Sequence, residues 1–226
     1  MQELENTTVA PLKTNGVKAH VSGGVISRPI LFSTEMVKAI LSGRKTQTRR
    51  IVKPQPDENG VSYMKNAPLD WESIYREPWT PWKWDTEEGE TISKNCPYGE
   101  IGDLLWVRET YAITGNATKR YIYKADLDYG HVEEKWKPSI FMSREACRIE
   151  LRITDIRVER LRSISETDAV SEGIECVRFE DEEMCQHPVN AYGHLWSKIN
   201  GSESWNANPF VWVIQFEVAR SPKHHR

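Results

Sequence analysis

Apolar positions recur along this chain with two different periods, and each change of period marks an element. Residues 28–32 (Arg-Pro-Ile-Leu-Phe) form a short strand-like run, after which Met36, Val37, Ile40 and Leu41 fall on one helical face. Ser33 or Thr34 is placed to cap that helix, Glu35 lies in the first turn where the dipole favours an acid, and Gly43 is placed to end it in a left-handed turn. Strict alternation returns over residues 147–161, with Ile149, Leu151 and Ile153 on one face and Arg148, Glu150 and Arg152 on the other. Residues 210–218 repeat the pattern through Trp212, Ile214, Phe216 and Val218. Residues 104–109 and 120–124 predict two further strands. A capping-box pattern, Ser165 to Asp168, opens a short helix that closes at Gly173, and residues 191–199 predict another. The pattern is mainly β with short helices, an α+β chain. So many short strands must hide their edges, which predicts a small closed or nearly closed β-barrel.

Where periodicity fails, the chain changes character. Residues 1–27 are polar and aperiodic and are expected to be a disordered tail, with a second short tail at 220–226. Between about 53 and 100, prolines at 54, 56, 68, 78, 81 and 97 interrupt any long element, and Trp71, Trp79, Trp82 and Trp84 crowd together. This stretch reads as an insertion into one domain spanning 28–219. Its tryptophans either pack the insertion against the barrel or offer stacking faces to a base.

Composition narrows the function. A chain of 226 residues with 38% hydrophobic residues and nine Trp can bury a proper core, and a mean hydropathy of −0.61 points to long polar loops or tails. A net charge of −3 argues against a protein that coats nucleic acid non-specifically, though not against a local basic groove. No apolar run approaches the ~18 residues needed to cross a bilayer, and the first 15 residues lack the apolar core of a signal peptide, so a cytoplasmic protein with no membrane partner is expected. Cys96, Cys147, Cys176 and Cys185 form no Cys-x-x-Cys pair and read as free thiols. Cys185 and His187 are the only close pair of soft ligands, too few for a structural metal site, and no metal or cofactor is expected.

One segment breaks with the acidic whole. From Arg44 to Lys53 the chain carries five cations and no acid, beginning with Gly43-Arg-Lys-Thr-Gln-Thr-Arg-Arg50. A helix-ending glycine followed by a Lys, two Thr and three Arg makes a corner suited to a polyanion or a polarised carbonyl. Arg50 is a planar donor fork for a phosphate or a base edge, and Arg44 and Arg49 are either further contacts or solvated. Arg108 and Glu109 either line the same cleft or pair with each other. In a regular strand Lys45 and Thr48 would point to opposite faces, so they converge only if the chain bends between them.

The spacing Gly43-x-Lys45-x-x-Thr48-x-Arg50 resembles the signature of the ASCH domain, a PUA-like β-barrel family linked to RNA and modified-base biology. Residues 102–108, 165–173 and 209–216 are similar, in order, to that family's strand after an insertion, short helix and last strand. The likeness spans about 28–219, with 53–100 and 175–190 as elaborations, and the long form with its Trp-rich insertion is similar to phage and prophage members. In one branch, the bacterial N4-acetylcytidine amidohydrolases, the resemblance implies a catalytic set of Lys45, Thr48 and Glu172; from their own chemistry, Arg44, Arg49, Arg50 and Arg108 are the candidates to bind substrate or nucleic acid. Thr48 would then be the nucleophile. Lys45 would be its base, with a pKa brought well below ~10.4, which burial and neighbouring cations promote and a close Glu172 opposes. The expected partner is a nucleoside or RNA substrate. A module that binds RNA or a modified base without turnover shares every one of these residues. A ribonuclease reading would need an in-line acid and base, and no His lies in the motif.

Overall fold

The computed structural model describes residues 24–55, 82–85, 91–115, 119–127, 135–175 and 187–221. Five strands form the main sheet: β1 (Ser27–Leu31), β2 (Gln47–Ile51), β5 (Leu104–Arg108), β8 (Glu150–Arg160) and β9 (Phe210–Arg220), in the order β1-β5-β8-β9-β2. β1 runs parallel to β5, and every other pairing in this sheet is antiparallel. Two hairpins stand apart from it, β3 (Trp82–Asp85) with β4 (Thr91–Lys94), and β6 (Tyr111–Thr114) with β7 (Arg120–Tyr123). The helices are α1 (Thr34–Leu41), α2 (Glu166–Ser171) and α3 (Pro188–Asn200).

The local signals explain most of these bounds. Ser33 caps α1 by accepting from the Met36 N–H, and Gly43 adopts φ +76° just beyond the helix, a conformation that costs glycine least. Ser165 accepts from the Asp168 N–H and opens α2. β6 and the β3–β4 hairpin are additions to the expected strands, the second lying inside the Pro- and Trp-rich insertion. The rest of that insertion's tryptophan cluster, the tail at 1–23 and the last five residues lie outside the described residues, as do Cys176 and Cys185. Cys96 and Cys147 are free thiols, and burial pushes the Cys96 thiol up to about 11. His187 pairs with Glu166.

The sheet has two buried faces. On one, Leu105, Val107, Leu151, Ile153, Trp212 and Ile214 pack with Ile30, Phe32 and the Val37–Ile40 side of α1. On the other, Val211 and Val213 pack with Ala169 of α2 and with Tyr192 and Trp196 of α3. A bulge in β8 between Ile153 and Asp155 inserts one extra residue and reverses the parity of the strand. Leu151 and Ile153 face the first layer as odd positions; beyond the bulge the even positions Ile156 and Val158 do so, freeing Arg157 and Glu159 to face α2.

A closed or nearly closed barrel was expected; among the described residues no closed barrel is found. The sheet is an open α+β sheet in which β1 and β2 are edges with no ladder between them. Pro29 has no N–H to give to a ladder and belongs on an edge strand. The two edges nonetheless meet through one side chain, because Arg50 Nη2 in β2 donates to the Leu31 carbonyl at the end of β1 over 2.8 Å. Among the described residues no helix is long and apolar enough to cross a membrane.

Candidate functional site

Immediately after α1 the chain folds back on itself, since the N–H groups of Arg44 and Lys45 both donate to the Ala39 carbonyl. That turn brings Lys45 beside the end of α2, where it pairs with Glu172 in an isolated antiparallel bridge, and the Thr46 N–H donates to the Ser171 carbonyl. Lys45 Nζ donates to Glu172 twice, to the main-chain oxygen and to Oε2, each at 2.8 Å. Gly173 permits this approach: its φ is +90°, and a Cβ there would lie 3.0 Å from Ala39 Cβ and 3.1 Å from Lys45 Cβ.

Glu172 also ties Lys45 to a larger network. Its Oε1 accepts from Arg49 Nη1 at 3.2 Å, while Arg49 Nη2 donates to Glu159 at 2.5 Å and Asp168 at 3.1 Å. Arg157 completes the set through Asp168 and Glu159. Strand register explains the geometry. Arg49 and Arg157 both flank Val213 of β9, on the face covered by α2, and Asp168 and Glu172 lie four residues apart where both reach Arg49. Lys45, Arg49 and Arg157 are thus linked to Glu172, Asp168 and Glu159 in one network, fully buried at Lys45, Arg49 and Glu172 and half-buried elsewhere.

Burial decides the titration here. It pushes the Lys45 amine below its ordinary range, outweighing the opposing pull of the Glu172 carboxylate, with Arg50 and Arg49 lowering it further. Burial also works against the Arg49 guanidinium, but Glu172 and Glu159 more than offset it and hold its pKa above the usual value. At Asp168, burial would raise the pKa, yet Arg49 and Arg157 bring the carboxyl below its usual range. The Tyr192 hydroxyl, whose ring lies under the Arg49 guanidinium, is held well above its usual value by burial and by Glu172.

Residues expected to work together are thus divided between two faces. Thr48 and Arg50 pair with Ile214 and Trp212, both in the layer that contains Phe32. Lys45 Nζ lies 5.7 Å and the Arg50 guanidinium 5.4 Å from the centroid of the Phe32 ring. The turn after Gly43 thus leaves Lys45 bonded to Glu172, with its Nζ near the Phe32 ring of the layer that Thr48 faces. Thr48 is 2% exposed.

Arg49 departs from its expected role as a surface contact. Its side chain is 0% exposed and its ion pairs are internal. Arg44 stays at the surface, paired with Glu175 at 2.7 Å. Arg108 and Glu109 part company. Glu109 forms a two-pronged pair with Arg148, which also holds Asp126 below the β6–β7 hairpin, while Arg108 bonds the Ile140 carbonyl. Arg108 and Arg50, together with Pro29, Ile30, Leu31 and Tyr98, line a cavity of about 240 Å³. Sequence reasoning did not find Glu159, Arg157 or Tyr192, and it saw Asp168 only as a capping residue. The β8 bulge, which turns Arg157 and Glu159 towards α2, leaves no periodic trace to read.

Among the described residues no group of three or more His, Cys, Asp or Glu is arranged to hold a metal ion. Compared with known proteins, the chain matches no family model and no curated protein. It is similar in structure to the crystal structure of protein EF3133 from Enterococcus faecalis V583, described under the family model DUF984, with a TM-score of 0.37, 12% identity, and coverage of 89% of this chain and 85% of that one.

Proposed function

We propose that this chain is an ASCH-type, PUA-like domain whose Lys45–Glu172 site hydrolyses an exocyclic amide on an acylated pyrimidine nucleoside or modified base, as the N4-acetylcytidine amidohydrolases do. The observation that carries the reading is the 2.8 Å bond from Lys45 Nζ to Glu172, which gathers residues 127 positions apart beside the layer that Thr48 faces. The motif spacing from Gly43 to Arg50 supports it, as does the Arg50–Leu31 bond that bridges the two edges of the main sheet.

The chemistry follows from the environment of each group. A lysine is a base only when neutral, and burial favours the neutral amine. Lys45 takes the proton as Thr48 Oγ1 attacks the acyl carbonyl, and the electron pair of the C=O bond moves onto oxygen. Collapse of that oxyanion breaks the C–N bond, and Lys45 returns its proton to the departing exocyclic amine. Water, deprotonated by Lys45, then attacks the acyl-threonine ester; the C–Oγ1 bond breaks, Lys45 returns its proton to Thr48 Oγ1, and the carboxylic acid leaves. Glu172 is a positioning residue that fixes the Nζ through two acceptors. Arg50, above the same Phe32 ring, serves in this reading as the cationic donor for the oxyanion.

A second reading, binding of a modified base without turnover, is favoured by one specific feature. The Lys45 side chain is 0% exposed with both its bonds made to Glu172, a closed arrangement that suits a structural clamp. The test is incubation of the full chain with N4-acetylcytidine and a panel of acylated nucleosides, following release of the free nucleoside. Cytidine release that disappears in Thr48→Val and Lys45→Ala supports the hydrolase. Saturable binding without release under all conditions favours the binding module, and neither binding nor release removes both.

A further inference from the structure

The cavity lined by Arg50 and Arg108 gathers two cations and no acid in its lining. Lys45, Arg49, Arg148 and Arg157, the partly or fully buried cations of the other networks, each face at least one carboxylate. Arg50 and Arg108 face none among the described residues. Arg50 spends one donor on the Leu31 carbonyl and lies over Phe32, and Arg108 spends one on the Ile140 carbonyl and lies over Trp106. The remaining donors include Arg108 Nε, which is buried without any hydrogen-bond partner. An orphaned buried donor costs stability, and a native structure that keeps one calls for a reason.

We propose that this cavity is an anion site that takes the phosphate of a nucleotide. Two guanidinium forks, one from the edge strand β2 and one from the inner strand β5, line the cavity and provide planar donors matched to phosphate oxygens. Tyr98 also lines the cavity. Size selects the group: at about 240 Å³ the space falls below that of pockets enclosing a whole drug-sized ligand, so it suits a phosphate and its immediate attachment while the base lies elsewhere. Arg50 stands between this cavity and Lys45, since both cations share the Phe32 ring. The inference extends the nucleoside reading by making the preferred ligand a phosphorylated one, and it rests on that reading only for the identity of the base.

The experiment is calorimetric titration of the full chain with inorganic phosphate, cytidine, cytidine 5′-monophosphate and a short cytidine-containing oligoribonucleotide. The wild-type protein is compared with Arg50→Gln, Arg108→Gln and, as a control remote from the cavity, Arg152→Gln. Thermal melts establish that each variant is folded. Phosphate is expected to bind saturably, and the monophosphate or the oligonucleotide at least tenfold tighter than cytidine, with that gain lost in Arg50→Gln and Arg108→Gln but kept in Arg152→Gln. A gain for the monophosphate alone identifies a terminal monoester as the source, and a gain for the oligonucleotide a backbone diester. Phosphate binding with no preference for cytidine compounds keeps the anion site and removes the base reading. Equal affinities for cytidine and both phosphorylated ligands, or a gain that survives both cavity variants, overturns the proposal.

Discussion

Lys45 Nζ and Glu172 meet twice, once at the main-chain oxygen and once at the carboxylate, so the second contact can be removed without the first. Glu172→Gln keeps the shape of the clamp and deletes its charge. The Glu172 carboxylate raises the Lys45 pKa against a larger lowering by burial, so its loss drives that pKa further down. On the hydrolase reading, kcat/KM rises with pH as Lys45 loses its proton, and in Glu172→Gln this rising limb moves to lower pH. A limb that stays in place or moves up would remove Lys45 as the base.

Arg49 is expected to report on stability and not on ligand affinity. Removing it leaves Glu172, Glu159 and Asp168 without their shared cation, and breaking a buried ion network from one side costs about 3–5 kcal/mol. Urea unfolding of Arg49→Leu measures this directly. Arg49→Lys is also expected to be destabilised, because a point charge cannot reproduce a fork bonded to three carboxylates. Undiminished stability with weakened nucleic-acid binding would restore Arg49 to a surface role.

Two glycines with positive φ separate backbone strain from crowding. Gly43→Ala meets no atom within 4 Å, whereas Gly173→Ala places its methyl 3.0 Å from Ala39 and 3.1 Å from Lys45. Both substitutions carry about 1–3 kcal/mol of backbone strain. Only Gly173→Ala adds displacement of Lys45, so its melting temperature should fall further than that of Gly43→Ala, and Lys45-dependent turnover should fall with it. Equal melting shifts would mean that the contact at Gly173 relaxes freely.

Acid unfolding is expected to show the contribution of Asp168. Its folded pKa lies below the ordinary 3.8, so the folded state holds fewer protons than the unfolded state in the interval between the two values. Stability from its pairs with Arg49 and Arg157 is therefore complete above pH 3.8 and is lost as pH falls through the lower folded value. Asp168→Asn should lower stability at neutral pH and flatten its fall below pH 4. A slope identical to that of the wild type would assign the acid sensitivity to other carboxylates.

How far the sequence reaches is clearest at β8. Ile149, Leu151 and Ile153 announce a strand with one apolar face, and the structure has it. The same alternation continued would bury the side chains of Arg157 and Glu159 in the apolar layer, and the bulge after Ile153 that prevents this has no composition of its own. The caps of α1 and α2 were legible because Ser33, Gly43 and Ser165 act within four residues. Arg49 was not, because its carboxylate partners lie 110 to 123 positions away and nothing local distinguishes it from Arg44 or Arg50. The pairing of Lys45 with Glu172 came from resemblance, since no periodicity links a loop lysine to the end of a distant helix. The open seam was missed for a different reason: burying edges predicts that strands find covers, and a side chain spanning two margins is a cover that strand patterns do not encode.

The order β1-β5-β8-β9-β2 places β1 and β2, neighbours in sequence, on opposite margins, with three later strands between them. As the chain leaves the ribosome, β2 has no strand to pair with until Phe210–Arg220 has been made. Such separation in sequence slows folding, because loop closure must be completed before the distant contacts stabilise it. The motif that begins at Gly43 is thus synthesised early and assembled last, and a polypeptide cut short before its final strand has the residues of the site but no site.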